Sequence, residues 1–340
     1  MSQTTRAIRM DKTGDTGVLK MVEIPLPPPG PGEVQVRIEA TGVAYADIVM
    51  RQGVYPGVKA PVVPGYDFVG RIEAVGPGVT GWNPGDRVAA LTVTGSYAER
   101  RNVSAEWLAQ VPDSIDAGKA VACVLNGLTA WQMLHRVAQP LAGEAVLVHG
   151  AGGGVGGLLL DFARLAGVTA IGSASASKKA AVEAKGGLHI DYKSEDLAAR
   201  AIALSDGGVV AAYDHIGGKH LKSVSIKALR PGGTAVIYGG YDVTKGGKLR
   251  IGAALDAYVG GMLSAMSLFS ASQGVVGYNV TSWRDARRAA YREDLAAIFA
   301  LLAEEKFDPL VGARFDLSEA AQAQTALETA KVAGKIVLAP

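Results

Sequence analysis

The stretch Ala145-Val146-Leu147-Val148-His149-Gly150-Ala151-Gly152-Gly153-Gly154-Val155-Gly156-Gly157 passes from an apolar run of strand length straight into glycines, and then into a helical segment, Leu158 to Leu165. Residues without side chains let the backbone approach a pyrophosphate, and the N–H groups of a helix start point at its negative charge. Strand, glycine loop and helix in this order make a dinucleotide-binding fingerprint. Two registers fit: Gly152, Gly154 and Gly157, or Ala151, Gly153 and Gly156 with alanine first, and the second is preferred.

Downstream of Asp116, buried strands alternate with amphipathic helices, the pattern of a parallel sheet covered on both faces. Strands are expected at Ala145 to His149, Thr169 to Ser173, His189 to Tyr192, Val209 to Asp214, Thr234 to Tyr238 and Gly274 to Val280. Helices are expected after Gly154, Ser177, Ser194 and Lys219, and a last one from Arg284 to Lys306. Upstream, the short β runs Val34 to Ala40, Phe68 to Val75, Arg87 to Leu91 and Arg100 to Val103 are separated by Gly and Pro, which reads as a small barrel-like β domain. Pro25 to Gly32 is too rich in proline for helix or ladder and serves as an extended connector. A chain of 340 residues is long for one core, so two domains are expected, with the active site in the cleft between them. The boundaries expected are 1–124 for the first part of the β domain, 125–283 for the dinucleotide-binding domain and 284–340 for the return to the first.

At the end of the second expected strand, an NAD site would carry Asp or Glu to bond the ribose hydroxyls. Here the residues are Ser173-Ala174-Ser175-Ala176-Ser177-Lys178-Lys179. Hydroxyls and two ammonium groups in place of a carboxylate suit a 2′-phosphate, which points to NADPH. The plainer alternative is that Ser175 or Ser177 caps the next helix and the lysines are solvated.

Hydrophobic residues at 49% and charged residues at 19% describe a compact globular chain. The net charge of +2, from 34 basic and 32 acidic residues without a long basic run, gives no footprint for nucleic acid. Met1 to Asp11 has no apolar core, and no apolar stretch reaches the roughly 18 residues of a membrane span, so a cytoplasmic protein is expected. One cysteine, Cys123, excludes an internal disulfide and any thiolate-rich zinc site, and is expected to be a buried core residue. The five histidines, His135, His149, His189, His215 and His220, are not spaced as a metal set.

Nearly end to end, the chain resembles the medium-chain dehydrogenase/reductase superfamily, in its zinc-independent quinone oxidoreductase (ζ-crystallin-like) branch. The landmarks are Gly42-Val43 to Asp47, Arg51-Gln52-Gly53-Val54-Tyr55-Pro56, Val63-Pro64-Gly65-Tyr66-Asp67-Phe68-Val69-Gly70, Pro84-Gly85-Asp86-Arg87-Val88, Asn126-Gly127-Leu128-Thr129-Ala130, the glycine loop, and Gly334-Lys335-Ile336-Val337-Leu338. The resemblance implies an α/β fold: a Rossmann doubly wound parallel sheet plus a GroES-like β-barrel catalytic domain. It implies NADPH held by Ala151, Gly152, Gly153, Gly154, Val155 and Gly156, with Lys179, Tyr192 and Ser173 around the 2′-phosphate. Gly239 and Gly240 would lie on the nicotinamide side, with Thr129 and Lys335 as further contacts, and a homodimer would pair at the edge of the sixth strand. Asp161 departs from the pattern, where the branch usually has glutamine.

Zinc-dependent relatives place Cys and His in the segment matching Gly42 to Asp47 and a second His after the Pro-Gly matching Pro64-Gly65. This chain has Ala44-Tyr45 and Tyr66 there, and no cysteine between Arg87 and Tyr97, so no zinc is expected. Without a Lewis acid, an acceptor whose conjugation spreads incoming charge needs the least help, which points to quinones and α,β-unsaturated carbonyls as small-molecule substrates. Tyr45, Tyr55 and Tyr66 are the candidate donors to the oxygen that gains charge. Asp47 is a further candidate near the cofactor, alternatively a structural residue paired with Arg51, and Asp67 is expected to hold structure by hydrogen bonds. The function expected is NADPH-dependent hydride transfer to a quinone. The alternatives are a reductase of carbon–carbon double bonds in enals, enones or enoyl thioesters, and an NADPH-binding crystallin-like or RNA-binding protein without turnover. Asp242 to Ser272 is expected to shape specificity or the dimer surface.

Overall fold

The computed structural model describes residues 3–240, 251–329 and 332–340. The chain divides into two compact units, one of Met1–Leu128 with Thr281–Pro340 and one of Thr129–Val280.

In the first unit the strands are β1 (Thr4–Arg9), β2 (Lys20–Pro25), β3 (Glu33–Val43), β4 (Asp67–Val75), β5 (Arg87–Leu91), β6 (Arg100–Ser104) and β7 (Leu108–Gln110). The second unit contributes β8 (Ala145–His149), β9 (Thr169–Ala174), β10 (Leu188–Asp191), β11 (Val209–Asp214), β12 (Leu229–Ile237) and β13 (Gly274–Gly277). The chain then returns to the first unit with β14 (Val311–Asp316) and β15 (Lys335–Ala339).

The first unit's main sheet runs β14-β15-β3-β4-β5-β7, with β6 also on β3 and β1-β2 forming a separate pair. Its β3, β4 and β5 are antiparallel neighbours. Alternate residues point one way in a strand, so Val34, Val36 and Ile38 of β3 pack with Phe68, Ile72, Val88 and Ala90 in one apolar cluster.

The second unit's sheet has the order β10-β9-β8-β11-β12-β13, every pair parallel. The order reverses beside β8, which is the doubly wound Rossmann arrangement, and ligands of such sheets bind beyond the strand ends at that reversal. The central strands β8, β9 and β11 are buried along most of their length and read as apolar runs: Leu147, Ile171, Val209 and Ala212, with Ile190 of β10, share a core with Leu197 and Ala201, four apart on the helix Leu197–Leu204.

One element differs from expectation. The segment after Arg284 is two helices, Val280–Ala286 and Arg288–Ala303, because Arg287 leaves the helical region at φ −136° and ψ 58°. Tertiary contacts hold both pieces within the first unit: Arg284 bonds the Leu91 carbonyl, and the Tyr291 hydroxyl donates to Trp107 O at 2.9 Å and accepts from Leu91 N at 3.1 Å. Residues 242–250 of the Asp242 to Ser272 stretch lie outside the described residues.

Candidate functional site

At the end of β8 the chain turns through Gly150 to Gly153 into the helix Gly154–Leu165, whose N-cap Gly153 offers no side chain to the first N–H groups. Those groups are therefore open to an anion. The steric demand for glycine falls on Gly156, where a Cβ would overlap the Gly150 carbonyl and lie 2.7 Å from Ala151 Cα. At Gly157 the nearest atom would be 3.6 Å away, so the close approach of helix and loop is at Gly156. Gly152 and Gly154 are half-buried, as is Val155.

The two lysines after β9 are not equivalent. The Lys178 stem crosses Gly152, its ammonium lies 3.5 Å from the Gly152 carbonyl, and partial burial lowers its pKa. Lys179 is exposed and lies 3.8 Å from Glu183 one turn on. A cation held half out of water over the glycine loop suits a phosphate better than one already beside a carboxylate. The sequence contained this signal as a Lys-Lys pair but could not say which member faces the loop. Ser175 and Ser177 join hydroxyls at 3.1 Å, whereas Ser173 is buried. Tyr192 is exposed just past β10, and Thr129 is buried. Gly239 packs on the His215 backbone, where a Cβ would meet the carbonyl oxygen at 2.9 Å, and Gly240 is exposed beside it. The unusual Asp161 is buried and ion-paired with Lys185, which accounts for a carboxylate at that position.

The fold also assembles what spacing concealed: His149, Asp214 and His220, with ligating atoms all within 4.8 Å of one another. Two imidazoles and a carboxylate are a donor set that zinc accepts. Hydrogen bonds already join them. His149 bonds Ser173 (3.3 Å) and Ser225 (3.1 Å), and Ser225 donates to Asp214 (2.7 Å). Burial pushes the His149 imidazole down to about 3, so it is neutral. Burial alone would raise Asp214, but the His220 hydrogen bond, the two histidines and Ser225 outweigh it and hold the carboxylate well below its usual range.

In the first unit, Tyr55 and Tyr66 come together with hydroxyls 2.6 Å apart and rings edge to face, and Thr281 Oγ1 lies 3.4 Å from Tyr66. Burial, with Tyr55 beside it, raises the Tyr66 phenol further above its ordinary value, so it stays protonated and able to donate. Tyr45 opens the helix Tyr45–Arg51 and is half-buried. Behind this group lies Asp47, wholly buried. Its carboxylate accepts from Ala44 N (2.8 Å), Gly65 N (3.1 Å) and Tyr97 Oη (3.1 Å), and so ties the turn before Tyr45 to the turn before Tyr66. Burial without a cationic partner in hydrogen-bond contact pushes it up to about 7.

The expected Asp47–Arg51 pair does not form. Arg51 instead bonds Glu328, Gln324 and the Gly14 carbonyl, because the helix Ala320–Glu328 packs against it. Asp67 accepts from Gly42 N (3.0 Å) and Leu125 N (3.1 Å), with the buried Lys335 ammonium at 3.3 Å. Lys335 therefore faces a carboxylate inside the first unit. Cys123 is buried, and among the described residues no helix is long and apolar enough to cross a membrane.

Comparison with known proteins agrees with this architecture. Residues 30–113 match the alcohol dehydrogenase GroES-like domain family, and residues 187–338 match the family described as zinc-binding dehydrogenase. The chain is 32% identical over 333 residues to a probable quinone oxidoreductase of Schizosaccharomyces pombe, covering 97% of this chain and 96% of that protein. It is also 32% identical to a quinone oxidoreductase of Pseudomonas aeruginosa, over 91% of each. The Escherichia coli quinone oxidoreductase, solved in complex with NADPH, superposes with a TM-score of 0.87 at 27% identity, over 98% of this chain and 100% of that one. With its parallel nucleotide-binding sheet and its GroES-like β unit, the chain is an oxidoreductase that belongs to the medium-chain dehydrogenase/reductase superfamily, in the quinone oxidoreductase branch.

Proposed function

We propose that the protein binds NADPH and transfers hydride, without zinc, to a quinone or related conjugated carbonyl. The uncapped helix start, the tight Gly156 packing and the half-buried Lys178 fit a dinucleotide carrying a 2′-phosphate. On this reading Lys178, with Ser175 and Ser177, takes the phosphate in preference to Lys179. Gly239 and Gly240 keep side chains away from the nicotinamide, and Thr129 and Tyr192 are further contacts. NADPH supplies the hydride; the chain's own residues position the acceptor and stabilise the oxygen that gains charge.

The observation that carries the reading is the Tyr55–Tyr66 hydroxyl pair, with Tyr66 held neutral by burial; by resemblance, Tyr66 replaces a histidine ligand of zinc-dependent relatives. A neutral phenol supported by a second hydroxyl donates to a developing enolate or quinol oxygen and offers a metal nothing comparable to thiolate or imidazole. The same donor pair serves an enone equally well, which keeps reduction of carbon–carbon double bonds as the second reading.

Steady-state assays with NADPH and NADH against panels of quinones and enones, with and without a chelator, test both readings. The outcome expected is NADPH preference and quinone turnover that survives chelation. Equal use of NADH, or activity restored only by zinc, would sink the proposal, and faster enone turnover would favour the second reading.

We also place a second copy of the chain at the β13 edge. β13 ends the sheet order, and the segment before it exposes Met262, Met266 and Phe269 at 70%, 65% and 77%. Sedimentation at micromolar concentration should give twice the 35.0 kDa chain mass. A single reduced cysteine, buried, fits the cytoplasm.

A further inference from the structure

Ser173, His149, Ser225, Asp214 and His220 form one continuous hydrogen-bonded chain inside the second unit, and its protons can be assigned from one end. Asp214, ionised, can only accept: Oδ1 takes the N–H groups of Ile216 (2.7 Å) and Gly217 (2.9 Å), and Oδ2 takes the Ser225 hydroxyl (2.7 Å) and faces His220 Nδ1 at 3.3 Å. Ser225 has one proton and gives it to Asp214, so its oxygen must accept from His149 Nε2 at 3.1 Å. A neutral imidazole protonated on Nε2 carries its lone pair on Nδ1, and there the Ser173 hydroxyl must donate, at 3.3 Å. The charge at Asp214 thus fixes the tautomer of His149 and the direction of every bond as far as Ser173.

Two consequences follow. The Ser173 proton points inward and is unavailable to a phosphate, which leaves Ser175, Ser177 and Lys178 for that task. The chain also joins the carboxyl ends of β9, β8 and β11, three adjacent strands. The Ser173 carbonyl accepts from Ala151 N of the glycine loop at 3.0 Å, His149 directly precedes Gly150, and Asp214 holds the turn after β11. His149, Ser225 and Asp214 are each fully buried and sit beneath that surface.

We infer that His149, with Ser225 and Asp214, is a positioning residue for the dinucleotide, holding the glycine loop and the β11 turn in their binding arrangement before the ligand arrives. The inference rests on the NADPH reading above. Preorganisation of this kind shows as affinity, because an unfixed loop must be ordered at the expense of binding.

The test compares Ser225→Ala and His149→Leu, which break the chain, with Ser225→Thr and His149→Gln, which keep a hydroxyl or an N–H at the joint. NADPH Kd is read by titration on the full-length protein, together with kcat at saturating NADPH and the NADPH-to-NADH preference. The breaking variants should weaken NADPH about tenfold, the double variant scarcely more, and the conservative variants should recover most of the loss. The fall in kcat should be much smaller than the fall in affinity, and the NADPH-to-NADH preference should not change, since the chain fixes the loop and not the phosphate. Wild-type affinity in both folded breaking variants would overturn the inference alone. So would a loss that Thr and Gln do not restore. Failure of the wild type to bind NADPH would overturn the cofactor reading, and this inference with it.

Discussion

Among the buried aspartates, Asp67 is ion-paired with Lys335, whereas Asp47 in the first unit and Asp214 in the second meet no lysine or arginine and have opposite proton affinities. Asp47 accepts from two backbone N–H groups and a phenol and is pushed up to about 7. Asp214 also accepts from two backbone N–H groups and a hydroxyl, yet is held well below its ordinary range. The hydrogen-bond partners are alike in number and kind; the difference is His220 within reach of Asp214 and His149 behind it. Burial sets the cost of a charge, and nearby groups able to carry positive charge decide whether it is offset. The first unit therefore keeps one carboxyl of raised pKa, Asp47, behind its tyrosines, while the second keeps a fixed negative charge beneath its glycine loop.

The largest expected effect lies in the pH dependence of folding. Asp47 has a raised folded pKa, so its contribution to stability is full below about 3.8 and is lost as pH rises through about 7. His149 has a lowered one, so its contribution is full above about 6.5 and is lost as pH falls toward about 3. Each spans about three pH units, on the order of 4 kcal/mol, and they oppose each other between about pH 4 and 6.5. Wild-type stability in urea should be nearly flat there, rising with pH in Asp47→Asn and falling in His149→Gln. Identical slopes in all three proteins would break the contrast between the two units.

The second effect tests the backbone-built site. Gly156→Val should weaken NADPH by at least about 100-fold, since the added side chain overlaps the Gly150 carbonyl, while Gly157→Ala should change it less than about threefold. Titration of both variants decides the register. The third tests the side-chain-built site. Tyr66→Phe should lower kcat/KM for a quinone by about 10- to 100-fold with little change in NADPH affinity, and adding Tyr55→Phe should cost little more. Full additivity would mean that the two hydroxyls act separately. The smallest effect sharpens the assignment of cations: Lys178→Ala should lower the NADPH-to-NADH preference about tenfold and Lys179→Ala less than about twofold. The reverse ranking would return the phosphate to Lys179.

These regions also differ in how far they could be read from the chain. The glycine loop is contiguous: strand, turn and helix follow one another from Ala145 to Leu165, and local sequence carries the whole signal. The tyrosine group draws on positions 55, 66 and 281, which no local pattern links; only the folded loop between Arg51 and Asp67 and the returning segment bring the three hydroxyls together. Arg51 was misleading for a physical reason. It stands four residues after Asp47 on one helix, the spacing of a surface ion pair, but Asp47 turns back to Gly65 and Arg51 is claimed by Glu328, far along the chain. The polar chain beneath the glycine loop was hidden for the same reason, since His149, Asp214 and Ser225 come from three separate elements. The break at Arg287 carries no Gly or Pro to announce it.

The second unit's sequence interrupts that of the first, and this bears on how the protein is made. β15, the last strand, is the neighbour of both β14 and β3, and its Lys335 meets Asp67. A nascent chain emerging from the ribosome can complete the second unit once residue 280 is clear of the exit tunnel. The first unit must wait, its amino-terminal strands already synthesised and β3 paired with β4 and β6 but not yet with β15, until β15 is translated. Loss of β15 would spare the second unit and leave the first with an open sheet edge at β3, a ready template for aggregation.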